Sequence, residues 1–200
     1  TGSLGIYANL GEPNLPDRPL VARLAAAQKA RAQRLSQEDA EVQVPDEKIN
    51  IPEDYLKLVK KLREAIKKRP NDEQGLRLLA LHEFRIGKYR AARKAHTRIM
   101  KVVGDKVTAK DYIDFAEVMI FATNGYVSPE AEITLSQALK LKPNDGRTRY
   151  YSGLAMAQNG QADVAYRLWE RLLKEGPQDA AWIPLIKSQI DDVARLAGIN

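Results

Sequence analysis

The sequence predicts an all-α chain of about three helix pairs, with a leading helix before them, a capping helix after them and an extended N-terminal segment. Three observations predict it. Residues 145–177 read as two short helices back to back, the first stopping at Asn159-Gly160 and the second at Gly176-Pro177. Small residues, Gly153 and Ala165, stand where two such helices must cross closely. The pattern also recurs, since Pro143 lies 34 residues before Pro177.

Counting back from Pro143 places Leu141, Leu139, Ala138, Leu135 and Ala131 on the second helix of the middle unit. Its first helix, AKDYIDFAEVMIFAT, carries Tyr112, Phe115, Ala116 and Met119 in register. Its turn, NGYVSPE, is about three residues longer than usual. One unit earlier, Leu76, Leu79, Ala80, Gly87, Tyr89 and Ala92 fall in register. Glu83, His96 and Ile99 depart there from the usual aromatic, aromatic and alanine. The 34-residue period with small residues at the crossings and a closing proline is that of the tetratricopeptide repeat. The repeats span about 73–106, 107–143 and 144–177, and their stacking predicts a superhelix.

The flanking elements follow from spacing. Pro52 opens EDYLKLVKKLREAIKKR, in which Tyr55, Leu58, Val59, Leu62, Ala65 and Ile66 keep the spacing of one buried helix face. This is the leading helix, closed by Pro70. At the other end, Trp182, Leu185, Ile186, Ile190, Val193 and Leu196 make residues 179–197 a helix that caps the exposed flank of the last repeat. Residues 1–52 are the expected N-terminal region, ahead of a repeat domain at 53–200. They comprise a Gly/Pro-punctuated tail, a basic alanine-rich helix from Asp17-Arg18-Pro19, and the acidic stretch 36–52. That stretch is a linker or a segment lying along the domain. Thr1-Gly2-Ser3 reads as a cleavage scar, so the native N-terminus is expected to lie upstream.

Composition narrows the function. There is no cysteine, which excludes disulfides and thiolate chemistry within this chain. The two histidines, His82 and His96, have no metal-ligand spacing, and neither a phosphate loop nor a nucleophile elbow is present. No enzyme and no cofactor are expected. The net charge of +6 is uneven: residues 57–106 hold 16 basic and 5 acidic residues, giving +11, whereas residues 36–56 sum to −6. Such a basic stretch is either a solvated lysine face or a surface for RNA or an anionic membrane.

What remains is a binding surface. First helices of stacked pairs line the concave side of a repeat superhelix. Residues not used in packing there are Arg77, Leu81, Phe84 and Arg85 in the first repeat, and Lys110, Ile113, Glu117, Ile120 and Phe121 in the second. The third adds Arg147, Tyr150 and Leu154. An apolar stripe with charged rims suits an amphipathic helix laid into a groove, the alternative being that Phe84, Ile120 and Phe121 are interhelical core.

The combination of LPDRPL at 15–20, GYVSPEAE at 125–132, the RYY, Gln and Trp positions of 149–169 and GPQDAAW at 176–182 resembles one family closely. It is the cytochrome c maturation protein I (CycH-type) of bacteria, and the resemblance runs from about Leu10 to the C-terminus. It implies a periplasmic tetratricopeptide domain tethered to the inner membrane. The implied role is a chaperone that binds the C-terminal helix of apocytochrome c, and no nucleic acid. It would present that client to the haem-ligation complex and the other cytochrome c maturation components. The family motifs do not fix the ligand-contacting residues.

Overall fold

In the computed structural model, residues 29, 33–45 and 49–199 are described. The tail at 4–16 and most of the basic helix expected to follow it lie outside those residues. The chain divides between Arg34 and Leu35, and everything below concerns the compact unit from Leu35 onward. Among the described residues this unit is wholly helical: α1 (Gln37–Gln43), α2 (Glu53–Lys68), α3 (Glu73–Arg85), α4 (Tyr89–Val103), α5 (Ala109–Ala122), α6 (Pro129–Leu141), α7 (Gly146–Gln158), α8 (Ala162–Glu175) and α9 (Trp182–Leu196). The all-α expectation therefore holds.

Each start is written in the sequence. Asp72, Thr108, Ser128 and Asp145 cap α3, α5, α6 and α7, each side chain accepting a backbone N–H three residues on. Thr108 and Asp111 complete a reciprocal capping box. The turns after α3 and α7 use Gly87 (φ 71°) and Gly160 (φ 75°), left-handed positions that cost an L-residue more than glycine. Such short links make α3 and α4, and α7 and α8, helical hairpins, and α5 packs on α6 in the same manner. Successive hairpins touch through α4 with α5 and α6 with α7, while α2 leans on α3 and α9 on α8.

Packing divides into two clusters. The N-terminal one is small and aliphatic: Ile66 from α2, Leu76, Leu79 and Ala80 from α3, and Ala95 and Ile99 from α4. The second runs through α5 to α9 and is centred on Trp169, which is fully buried. Trp169 lies across α7 where Gly153 leaves room, and a Cβ at Gly153 would sit 2.2 Å from the indole nitrogen. That nitrogen donates to the Tyr150 carbonyl at 3.0 Å. Gly146 makes equivalent room for Trp182, whose ring would lie 2.3 Å from a Cβ at that position.

Of the two readings of the acidic stretch, residues 35–45 take the second: they lie along the domain. Ser36 caps α1, and Gln37, Ala40 and Glu41 are buried against the hairpin helices.

Candidate functional site

A cavity of about 1100 Å³ opens among α5, α7 and α9 and the turns that precede α4 and α6. Four of the residues expected in a groove line it: Ile120, Phe121, Tyr150 and Leu154. Sequence reasoning did not include Tyr89, Tyr126, Tyr151, Leu185 and Gln189, nor Val44 and Pro45 from the N-terminal segment. Tyr126 comes from the lengthened α5–α6 turn. There Asn124 (φ 53°) and Gly125 (φ 91°) take left-handed conformations, and the Thr123 hydroxyl donates to the Tyr126 carbonyl at 2.6 Å. Gln158 braces the same turn, accepting from the Val127 N–H at 2.8 Å and donating to the Gly125 carbonyl at 2.8 Å.

The lining is aromatic and graded in exposure. Phe121 is 40% exposed and meets Phe84 edge-on at 5.0 Å between ring centres. Tyr89 closes the triangle, 5.2 Å from Phe84 and 5.5 Å from Phe121. Tyr150 is only 3% exposed, because its ring stacks on Trp169 at 5.5 Å. Its hydroxyl accepts from Gln189 at 3.3 Å, and burial raises its pKa above the usual phenol value. Tyr151 is raised further, first by burial and then by its bond to Glu117, to which its hydroxyl donates at 2.9 Å. Both phenols therefore stay neutral hydrogen-bonding groups.

The other expected groove residues are placed elsewhere. Ile113 is 2% exposed and belongs to the core cluster; α5 turns it inward against the neighbouring hairpin, so it offers no surface. Ile120 touches the cavity but is equally buried, a wall residue rather than a protruding contact. Leu81 and Arg85 are exposed on α3, outside the cavity lining. The charged rim is internally paired. Arg77 reaches Glu73 at 2.9 Å and Asp111 at 2.5 Å, which links the first hairpin to the second. Burial pushes the Asp111 carboxyl up, but Arg77 and Thr108 outweigh it and hold it below the usual carboxylate value. Arg147 spans Asp114 at 2.5 Å and Glu117 at 3.0 Å, linking second to third, and Lys110 pairs with Asp114 at 2.5 Å.

The two histidines take structural positions. The His82 ring nitrogen shares a 2.6 Å hydrogen bond with the Tyr55 hydroxyl of α2. His96 stacks on Phe115 at 5.8 Å, and burial lowers its pKa to about 4. Among the described residues no cluster of three His, Asp or Glu side chains could hold a metal ion. No described helix is long and apolar enough to cross a membrane.

No family profile matches the chain. It is similar to the cytochrome c-type biogenesis protein CycH of Bradyrhizobium diazoefficiens, 28% identical over 188 residues, covering 94% of this chain and 45% of that protein. It is also similar to the protein of the same name from Rhizobium meliloti, 29% identical over 191 residues, covering 96% of this chain and 43% of that one. The chain thus spans less than half the length of these curated relatives. Along nearly all of its own length the chain is similar to CycH-type proteins of cytochrome c-type biogenesis.

Proposed function

We propose that the hairpins form a tetratricopeptide-type stack that acts in cytochrome c biogenesis by holding the C-terminal helix of an apocytochrome c. The cavity is the observation that carries this reading. Phe121 and Leu154 offer apolar surface, and Tyr89, Tyr126 and Gln189 add polar edges, which suits an amphipathic helix with apolar anchors. The walls also disfavour an extended peptide. They are helices with internally paired backbones, and the extended residue Val44 has its carbonyl taken by Arg90. Pro45 beside it has no N–H to donate. The relatives, named as proteins of cytochrome c-type biogenesis, support a client of that class. In the full-length protein the domain would stand in the periplasm, tethered to the inner membrane, and would pass its client to the haem-ligation complex. It would act as a chaperone and not as an enzyme.

The test titrates the chain with an apocytochrome c and with a peptide of its C-terminal helix. Phe121→Ala is the informative variant, because a 40% exposed ring can be removed without opening the core. Loss of an aromatic anchor of about 2 kcal/mol weakens binding roughly 30-fold. Circular dichroism should be unchanged. A client with both haem-site cysteines replaced should bind as well as the original. Normal binding by folded Phe121→Ala and Leu154→Ala variants would place the client elsewhere.

A second reading has its own observation. Lys57, Lys60, Lys61, Lys67 and Lys68 are exposed along α2. Such a face suits RNA or an anionic membrane, and a phosphate-dominated complex would weaken steeply with salt where the cavity complex would not.

A further inference from the structure

Residues 35–45 hold an unusual number of buried polar contacts for a stretch that precedes the repeats. Gln37 is 3% exposed, yet its side chain is fully engaged. Its amide nitrogen donates to Glu41 at 2.8 Å and to the Met119 carbonyl at 3.0 Å, and its amide oxygen accepts from the Ser128 hydroxyl at 2.7 Å. The Gln37 backbone N–H donates to Glu130 at 3.1 Å. Glu41, 5% exposed, is ion-paired with Arg93 at 2.6 Å. The Tyr126 hydroxyl donates to the Leu35 carbonyl at 2.9 Å, and Arg90 donates to the Val44 carbonyl. Burying an amide and a carboxylate is unfavourable unless every group finds a partner, so this network fixes one position for the segment.

That position bears on the cavity. The segment leaves α1 in an extended conformation at Val44 (φ −98°, ψ 119°), and Val44 and Pro45 then form part of the cavity wall beside Tyr89 and Arg90. Arg90 and Tyr126 each touch both the segment and the cavity. We propose that residues 35–45 are a constituent of the binding site. Val44 and Pro45 contact the bound helix and help to select it, and Gln37 is the positioning residue that seats them. The site made by the repeats alone is open on this side. This deepens the reading above and rests on it for the identity of the bound helix.

Two variants of the full chain test it. Gln37→Ala removes the acceptor of the Ser128 hydroxyl and one of the two side-chain donors to the Met119 carbonyl, and should release α1, read as faster amide exchange over 37–43 with protection kept over 109–175. Val44→Asp leaves the network seated and puts a charge in the wall. Each is titrated with the C-terminal helix peptide of an apocytochrome c, and separately with the apolar dye anilinonaphthalene sulfonate, which reports on the cavity whatever its natural occupant. Both variants should weaken peptide and dye, by about tenfold for the peptide. If the peptide fails to bind the unaltered chain while the dye still responds to both variants, the client reading fails and the wall stands. If α1 is released, or the wall charged, and neither probe changes affinity, the segment is not part of the site.

Discussion

The first hairpin and the last are built on one plan and closed by different chemistry. In the last, Trp169 fills the space over Gly153 within an apolar and aromatic core cluster. In the first, the corresponding positions hold His96 and Ala80, and the neighbouring aromatic position holds Glu83. Glu83 is 2% exposed, and Arg63 of α2 pairs with both of its oxygens at 2.5 and 2.7 Å. The first hairpin thus adds polar contacts to its leading helix, Arg63–Glu83 and Tyr55–His82, beside the apolar contact through Ile66. The sizes are matched within each pair: glycine stands sixteen residues before tryptophan, and alanine sixteen before histidine. The middle hairpin repeats the rule with Ala116 and Leu135, three residues further apart because of its longer turn.

The largest expected effect tests the aromatic end. Trp169→Ala should lose about 4 kcal/mol, since a fully buried ring leaves a cavity that cannot collapse. Gly153→Ala should lose about 2 kcal/mol by overpacking against the indole. Gly153→Ala with Trp169→Leu rebuilds the alanine–leucine match of the middle hairpin. Urea unfolding should find it less damaged than the two single changes added together. Strict additivity would show that the size match is accidental.

Next in size is an acid effect confined to the first hairpin's junction. The folded pKa of His96 is lowered to about 4, so in the window from 6.5 down to 4 the unfolded chain takes up a proton that the folded chain refuses. Stability present above pH 6.5 is therefore lost as pH falls, by about 3 kcal/mol at pH 4. His96→Phe should flatten that part of the curve while leaving the acid limb below it. Asp111 and Asp145, both held below the ordinary carboxylate value, lose their contribution only at lower pH. A variant curve as steep as the original between pH 6.5 and 4 would remove His96 from this role.

The smallest effect concerns α2. Arg63→Ala strands a buried carboxylate and should cost about 2 kcal/mol, discounted because the arginine side chain is 43% exposed. Replacing Arg63 and Glu83 together by leucine should recover most of it, since the pair is not intrinsically better than apolar packing. Should the double variant be as unstable as Arg63→Ala alone, the ion pair does more than satisfy itself.

These contrasts also explain what could be read in advance. The helices and their hairpin pairing were legible because caps, left-handed glycines and apolar spacing are local signals. Glu83 and His96 were visible only as departures from a pattern, since their partners Arg63 and Phe115 lie 20 and 19 residues away on other helices. The cavity lining was half legible. Phe121 and Leu154 reach it from first helices, whereas Ile113, expected on the groove, lies in the core, because helical periodicity does not fix how far one hairpin rotates on the next. Val44 and Pro45 could not be found at all. They reach the cavity through Gln37, whose bonds to Met119 and Ser128 span 82 and 91 residues.

The lengthened turn at Thr123–Ser128 has a consequence for engineering. It supplies Tyr126 to the cavity and Ser128 to Gln37, and it is held by one glutamine of the following hairpin, Gln158. Three extra residues in a single connection thereby add both a lip and an anchorage without disturbing either helix. Transplanting that turn, with its glutamine, into a designed array of short-turn repeats would give the array a place to fasten an accessory helix, while shortening it here should unfasten α1 and leave the other helices standing.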